Sequence, residues 1–395
     1  MITAMFQGFD MIISGALPRR LIFERGGINK LPEIISELGL IGKCMLVTGR
    51  KFARSSGYLN KLMSLLESAG IENVIVFDRV EPNPSAGTVD EGGKIAAEEG
   101  VDFVIGFGGG SAMDAAKGIA IVAVGSGSVR EYFYPAEVRH LVLPVIAIPT
   151  TCGTGSEVTR YAVISDAGKK NSIRSNRIVP VAAILDADVL DYLSNDVLSH
   201  TVMDALSHAI ESYFHVGAND LTYMFSAESA KIIFENFARA LDGEPESKEK
   251  LFYASMLAGF AINFSGTVVV HGLGYYLTEK HGIPHGLANT LFLSSFIEYS
   301  SKKISDRLVS LCKRLGISSE DPVECSRALI RRLTELRRYA KLPLSLFEAG
   351  IGESEFKNLV EEGLSYRRSI ENCVVPPTRD DIEQMVRGAY TSIIE

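Results

Sequence analysis

The segment VDFVIGFGGGSAMDAAKGIA (101–120) decides how the first half of this chain folds. Its apolar start is typical of a central strand in a parallel sheet, where both faces are covered. Gly108, Gly109 and Gly110 follow, and a helix is predicted to start near Ser111. Glycine lets a ligand approach the backbone closely, and a helix N-terminus offers free N–H groups to a pyrophosphate. The segment therefore favours a nucleotide site, although a tight turn without a ligand is the alternative.

The same alternation of strand and helix extends to both sides of this segment. Apolar runs at 43–49, 73–78 and 143–151 read as strands, and 58–70 and 88–100 read as helices. This alternation predicts a Rossmann-like α/β domain with a parallel sheet over residues 1–190. Helical periodicity dominates afterwards, so residues 191–395 are predicted to form an all-helical domain, with 182–194 as the connection.

Size, charge and cysteine content restrict the class of protein. A chain of 395 residues favours two domains, and a net charge of −8 disfavours nucleic acid as a partner. No run of about 20 apolar residues indicates a membrane span. The first residues show no signal-peptide pattern, and the five cysteines form no CxxC pair. Reduced thiols and a cytoplasmic location are therefore expected.

Two pairs of polar side chains suggest a metal centre. Asp204 and His208 lie four residues apart in TVMDALSHAIESYF (201–214), which reads as a helix, and they project from one face. His271 and His285 lie in VVVHGLGYYLTEKHGIPHGLAN (268–289). One carboxylate and three imidazoles suit Fe(II), and zinc can occupy the same ligands. A helix-face hydrogen bond and packed core histidines are the alternatives.

The end of the first long strand bears on the choice of cofactor. There is no GxGxxG near it, and the strand ends in VTGRK with Gly49, Arg50 and Lys51. A carboxylate at this point would bind ribose hydroxyls and repel a 2′-phosphate. Its absence, with two cations following, favours NADP(H) over NAD(H).

Four segments resemble the iron-containing (group III) alcohol dehydrogenase family. They occur in order between about residues 15 and 290, and the last hundred residues match only in helical character. The four are GFGGGSAMDAAKGIA, IPTTCGTGSEVTRYAVISD, VMDALSHAIESY and HGLGYYLTEKHGIPHGLAN. The family fold is an N-terminal α/β domain and a C-terminal helical domain, with the active site in the cleft between them.

The resemblance implies a role for individual residues. Pyrophosphate contacts are implied for Gly109, Gly110 and Ser111. Members that prefer NAD usually carry Asp where this chain has Gly49, which agrees with the charge argument. The resemblance implies four metal ligands, Asp204, His208, His271 and His285, and further cofactor contacts from Asn83, Asp114, Thr150, Thr151 and Lys170.

One position departs from the family pattern. Many members carry a further histidine four residues after the third ligand, where this chain has Tyr275. Tyr275 lies one helical turn beyond His271, so we expect it to line the substrate pocket in place of that histidine.

These observations predict a metal-dependent alcohol dehydrogenase or aldehyde reductase. Hydride would pass between NADP(H) and a small primary alcohol or aldehyde, and the resemblance suggests a homodimer. A zinc polyol dehydrogenase similar to glycerol dehydrogenase, or a lyase similar to dehydroquinate synthase, is the alternative enzyme. A catalytically silent protein that binds metal and nucleotide is the alternative from another class.

Overall fold

The structure is a computed structural model that describes residues 16–125 and 127–391. Six of its strands form one parallel sheet in the order β1-β8-β5-β4-β2-β3. The strands of the described residues are β1 Arg20–Phe23, β2 Cys44–Gly49, β3 Val74–Val80, β4 Phe103–Gly108, β5 Val145–Pro149, β6 Tyr161–Asp166, β7 Lys169–Arg174 and β8 Ala182–Leu185.

Helices cover this sheet, and the central strands are buried throughout. Every residue of β4 and β5 is buried, which explains their continuous apolar runs. The covering helices are α1 Leu31–Glu37, α2 Phe52–Ser55, α3 Tyr58–Ser68, α4 Ala86–Glu99 and α5 Gly110–Val122. A Cβ on Gly106 or Gly108 would come within 2.9 or 2.8 Å of Ala116 or Ala112 on α5. Part of the glycine pattern therefore serves close packing of helix on strand.

Strands β6 and β7 form an antiparallel hairpin that the sequence analysis did not predict. Its turn is Ala167–Gly168, where both residues have positive φ angles of 49° and 72°. The turn lacks the Asn-Gly or Asp-Gly pair that normally marks a short hairpin. The hairpin matters for the site, because β7 carries Lys170 toward the helical part of the chain.

The second half of the chain is helical. Helix α6 is buried along its length from Val202 to Tyr213, because neighbouring helices surround it. The helices are α6 Asn195–Tyr213, α7 Asp220–Leu241, α8 Pro245–Phe264, α9 Val269–His281, α10 His285–Lys303, α11 Ser305–Arg314, α12 Pro322–Tyr339, α13 Phe356–Ser365, α14 Arg367–Glu371 and α15 Arg379–Tyr390.

The predicted fold class, a parallel α/β part followed by a helical part, is confirmed. Strand β8 ends at Leu185 and α6 begins at Asn195, and the exact division at residue 190 stays a prediction. No single helix of the described residues is long and apolar enough to cross a membrane. Helices α8 and α9 pass that test only as a pair bent by 115°. The expected absence of a signal peptide concerns residues 1–15, which lie outside the described residues.

Candidate metal and cofactor site

The four predicted metal ligands converge on one point. Asp204 and His208 come from α6, His271 from α9 and His285 from the start of α10. The Nε2 atoms of His208, His271 and His285 lie 3.9, 3.8 and 3.8 Å from Oδ1 of Asp204. Asp204, His208 and His271 are buried, and His285 is partly exposed. The ligand atoms of Asp204, His208 and His271 all lie within 4.8 Å of one another, and His285 joins this group through its approach to Asp204.

A glycine allows the third helix to reach this point. A Cβ on Gly286 would lie 2.0 Å from the His200 carbonyl oxygen and 2.8 Å from Cβ of Asp204. Only glycine therefore lets α10 begin directly against α6, with His285 beside Asp204. The preceding helix ends at His281 and is capped by Gly282, whose φ of 67° favours glycine. The sequence GIPHG thus fixes where α9 stops and where the fourth ligand stands.

Glu211 is a functional residue that the sequence analysis missed. Its Oε1 lies 2.5 Å from Nδ1 of His271, and its Oε2 accepts the backbone N–H groups of Val268 and His271 at 2.9 and 3.2 Å. Glu211 is fully buried. A carboxylate on the distal ring nitrogen fixes the tautomer of a metal-binding histidine and leaves Nε2 free as the ligand. Glu211 follows His208 by three residues, as His208 follows Asp204 by four. This helical spacing places all three side chains on one face of α6, and it could have identified Glu211 from the sequence.

Asn289 is a second residue that was missed. Its Nδ2 donates to Oδ1 of Asp204 at 3.1 Å and lies 3.2 and 3.3 Å from Nε2 of His271 and His285. It stands four residues after His285 on the same face of α10, so helical spacing could have identified it. Asn289 therefore holds Asp204 against the two histidines.

The electrostatics of the cluster suit a cation. Burial lowers the pKa of His208 to about 4 and that of His285 to about 3, so both rings are neutral near pH 7. Burial opposes the charge on Asp204, but the neighbouring histidines outweigh it and lower the pKa of that carboxyl. For His271, the contact with Glu211 outweighs burial and raises its pKa. A carboxylate with imidazole nitrogens is a donor set that Fe(II) and zinc both accept.

The glycine-rich turn presents an open helix N-terminus. Gly109 caps α5, and no side chain of the described residues accepts a hydrogen bond from its first N–H groups. A Cβ on Gly110 would lie 2.5 Å from the Thr154 side chain, so the turn and the loop after β5 are tightly apposed. Thr151 lies beside Gly109, since a Cβ there would be 3.3 Å from its Oγ1. Free N–H groups in such a position fit a pyrophosphate.

Asn83 and Lys170 meet at this turn. The backbone N–H of Asn83, which has a φ of 59°, donates to Oγ of Ser111 at 3.0 Å. Lys170 Nζ donates to Oδ1 of Asn83 at 2.7 Å and lies 3.4 Å from Glu279 on α9. Burial lowers the pKa of Lys170, although Glu279 opposes this effect. The hairpin thereby links the turn to the helix that carries His271.

Asp114 forms hydrogen bonds within the protein. Its two carboxylate oxygens accept hydrogen bonds from Oγ of Ser156 at 2.6 Å and the N–H of Val163 at 2.9 Å. The buried Lys117 Nζ donates to the carbonyl oxygens of Ser156 and Tyr161 at 2.6 and 2.8 Å. Asp114 thus fastens the loop after β5, and its contact with the cofactor stays a prediction.

Gly49 ends β2, and Thr150 directly follows β5, at the same edge of the sheet. The N–H of Thr150 donates to the Gly108 carbonyl at 3.0 Å, which fixes the start of the loop after β5. A Cβ on Gly49 would meet only the Val80 carbonyl at 3.7 Å, an ordinary contact. Steric crowding therefore does not explain why position 49 is a glycine. The adjacent Arg50 is exposed and bonds through Nε to the Arg79 carbonyl at 3.2 Å.

Tyr275 lies beside the metal ligands. Its ring stacks on that of His285 with centroids 5.5 Å apart and contacts the Tyr366 ring at 5.1 Å. Burial raises the pKa of Tyr275 well above its ordinary value. The structure thus places Tyr275 against a ligand, as its spacing from His271 predicts.

The chain matches family models over nearly its whole length. Residues 18–187 match the model of iron-containing alcohol dehydrogenases, and residues 199–390 match that of the C-terminal part of the same family. An NADPH-dependent butanol dehydrogenase of Clostridium saccharobutylicum is 31% identical over 87% of this chain and 89% of its own. An NAD-dependent methanol dehydrogenase of Bacillus methanolicus is 30% identical over 94% of this chain and 98% of its own.

A solved structure agrees with these matches. The archaeal halo-thermophilic Red Sea brine pool alcohol dehydrogenase superposes with a TM-score of 0.87 and is 29% identical. The match covers 96% of this chain and 100% of that one. The resemblance drawn from the four segments is confirmed. The chain belongs to the iron-containing alcohol dehydrogenase family and is an oxidoreductase of the alcohol dehydrogenase type.

Proposed function

We propose that this protein transfers hydride between NADP(H) and a small primary alcohol or aldehyde. The observation that carries the proposal is the convergence of Asp204, His208, His271 and His285 beside the open N-terminus of α5. Two contacts link the metal ligands to the cofactor turn at the start of α5. Lys170 bonds to Asn83 at the turn and acts electrostatically on His285. A Cβ on Gly153, in the loop after β5, would lie 2.8 Å from Thr201 on α6.

The bound cation would supply a Lewis acid for the alcohol or aldehyde oxygen, and the nicotinamide would supply the hydride donor or acceptor. The protein's part is to hold the ligands rigidly and to exclude water. Glu211 orients His271, and Asn289 holds the Asp204 carboxylate. Tyr275 covers His285 and limits the space open to the substrate.

The family and the donor set favour iron as the resident metal, and zinc fits the same atoms. The cofactor preference rests on Gly49, because no carboxylate stands there to repel a 2′-phosphate. Arg50 and Lys51 are exposed directly after it. The two relatives named above include one NADPH-dependent and one NAD-dependent enzyme, so this choice depends on the residues of this chain.

We expect the protein to act in the cytoplasm, as a homodimer, on a small molecule. All five cysteines are free and buried, which supports a reducing cytoplasm. The acidic net charge supports a small-molecule substrate over nucleic acid, without a membrane partner. Family resemblance supports a homodimer.

A panel of substrates with both cofactors tests the proposal. The protein is loaded with iron or zinc and assayed with short aldehydes, short alcohols and glycerol, using NADH and NADPH. Reduction of short aldehydes with NADPH is expected. A preference for glycerol in the zinc form would favour the polyol dehydrogenase alternative. Absence of turnover with every pair would indicate a silent binding protein.

A further inference from the structure

Three arginines gather where the β6–β7 hairpin meets α14. We call Arg160, Arg174 and Arg368 the arginine cluster. Arg174 pairs with Tyr161 across the hairpin, and Arg160 directly precedes Tyr161 in the chain. The Arg160 guanidinium lies 5.8 Å from the centre of the Tyr161 ring. Neither the metal ligands nor the cofactor turn includes these residues.

Arg368 is oriented by stacking. Its guanidinium lies 4.2 Å from the centre of the Tyr134 ring and 5.9 Å from that of Tyr161. The hydrogen bond found for it among the described residues is a long one, from Nη1 to Oγ of Ser172 at 3.4 Å. Stacking occupies the faces of a guanidinium and leaves its N–H edge open to a carboxylate or another oxyanion.

The positive charges of the cluster act on one another. Burial lowers the pKa of Arg160, and Arg174 and Arg368 are both close enough to add to that effect. The buried His215 responds in the same way, since burial and then Arg174 and Arg368 lower its pKa to about 4. Arg174 is exposed and Arg368 is partly buried, so both positive charges are open to an anion from solution.

Two carboxylates near α14 each lie beside a lysine. Glu279 pairs with Lys170 at 3.4 Å, and Glu362 lies 3.7 Å from Lys169. Among residues 16–125 and 127–391, neither Arg174 nor Arg368 has an ion-pair partner, whereas Arg130 and Arg379 each pair with a carboxylate. Arg174 and Arg368 are therefore both able to pair with an added anion.

The cluster adjoins the metal site. Tyr366, two residues before Arg368, contacts Tyr275, and Tyr275 stacks on the ligand His285. Gly272, next to the ligand His271, packs against α14 so closely that a Cβ there would lie 3.1 Å from Ser369. Arg368 also acts electrostatically on Tyr275. Tyr275 and Tyr366 therefore link the metal ligands to α14, the helix that carries Arg368.

We propose that Arg174 and Arg368 bind an oxyanion at the far end of the substrate, which is a short aldehyde or alcohol bearing a carboxylate, sulfonate or phosphonate. This inference rests on the function proposed above. In the reduction, the aldehyde carbon gains hydride from NADPH, the oxygen gains a proton, and the products are the primary alcohol and NADP⁺. The anionic group is unchanged and serves only to hold the substrate.

The test compares anionic and neutral aldehydes of similar length with the metal-loaded enzyme and NADPH. The probes are 4-oxobutanoate, sulfoacetaldehyde and phosphonoacetaldehyde, with pentanal and butanal as neutral counterparts. The enzyme is expected to favour at least one anionic aldehyde over its neutral counterpart by about 10- to 100-fold in kcat/KM, which is the range of one charge-assisted contact. Comparison among the three probes identifies the anionic group.

Substitution of the arginines tests whether the preference for anionic aldehydes depends on them. Arg368→Gln and Arg174→Gln are each expected to raise KM for the favoured anionic aldehyde by about 10-fold or more and to leave pentanal within about 3-fold. Arg177→Gln is the matched control, because Arg177 is exposed on the turn after β7. Competitive inhibition by succinate should weaken in parallel with the rise in KM.

The outcomes separate this inference from the proposed function. Reduction of pentanal without preference for any anionic aldehyde overturns the inference and leaves the proposed function standing. A preference that survives both Arg368→Gln and Arg174→Gln overturns the assignment to the cluster. Absence of turnover with all five aldehydes overturns both.

Discussion

Oε1 of Glu211 lies 2.5 Å from Nδ1 of His271, with both side chains buried. The same carboxylate accepts two backbone N–H groups where α9 begins. One residue thus fixes the ring of a predicted metal ligand and the start of the helix that carries it. Glu211 therefore joins α6 to α9 directly at the metal site.

We predict that Glu211→Gln weakens metal binding by about 10- to 100-fold, which is typical for loss of such a partner. The amide keeps the shape of the side chain but loses the charge that holds the His271 ring. Metal affinity is measured by competition with a chelating dye. Glu228→Gln, at an exposed position of α7, is the control and should bind metal normally. Equal affinities in the two variants would refute a role for Glu211 in orienting the ligand.

We predict that Gly49→Asp reverses the cofactor preference. The backbone there accepts a side chain without a clash, and a carboxylate would repel the 2′-phosphate of NADPH. The ratio of kcat/KM for NADPH to that for NADH should fall by about 100-fold, since like charges in contact cost several kcal/mol. Ser68→Asp adds the same charge at an exposed position of α3 and should leave the ratio unchanged. A clear NADH preference of the unaltered protein would contradict the assignment.

We predict that the ring of Tyr275, and not its hydroxyl, serves the reaction. Burial raises its pKa, so the phenol remains protonated at working pH. Tyr275→Phe should change kcat/KM by less than about 3-fold and leave the pH profile unaltered. Tyr275→Ala removes the ring stacked on His285 and should lower kcat/KM by about 10-fold. A changed pH profile in Tyr275→Phe would instead show proton transfer by the hydroxyl.

We predict that His215 contributes to acid sensitivity. Its folded pKa is about 4, below the ordinary 6.5, because of burial and then the neighbouring arginines. Between these values the unfolded state binds the extra proton, so the free energy of unfolding falls as pH drops from about 6.5 toward 4. His215→Asn retains an acceptor for the Gly217 N–H and should remove about 2 kcal/mol of that fall.

Urea denaturation of the metal-free protein at pH 7 and pH 5 measures this change. His281→Asn is the control, because His281 is exposed on the last turn of α9. If His215→Asn loses as much stability between the two pH values as the unaltered protein does, the folded pKa assigned to His215 is wrong.

Much of the architecture follows from local patterns in the chain. Apolar runs such as VDFVIGFGGG identify buried parallel strands, and helical spacing identifies the pair Asp204 and His208. The ligand set was predictable because its residues are chemically distinctive and fall within recognisable segments. Their convergence also needs Gly286, whose role appears only when α10 is placed against α6.

Other features depend on contacts between distant segments. The β6–β7 hairpin lacks a standard turn pair, and nothing near Lys170 in the chain indicates its bond to Asn83. The arginine cluster joins residues about 200 positions apart, so no local pattern reveals it. The motif around Asp114 suggests a contact with the nucleotide, but it does not reveal the hydrogen bonds of Asp114 to Ser156 and Val163 within the protein.

Metal removal and restoration test the central claim most directly. The protein is stripped with a chelator, reloaded with Fe(II) or zinc, and assayed for oxidation of NADPH by short aldehydes, with and without a terminal anionic group. The account predicts that activity disappears with the metal and returns on reloading, and that Asp204→Asn combined with His271→Ala prevents recovery. Aldehyde reduction at full rate by verified metal-free protein, or by that double variant, would contradict the account.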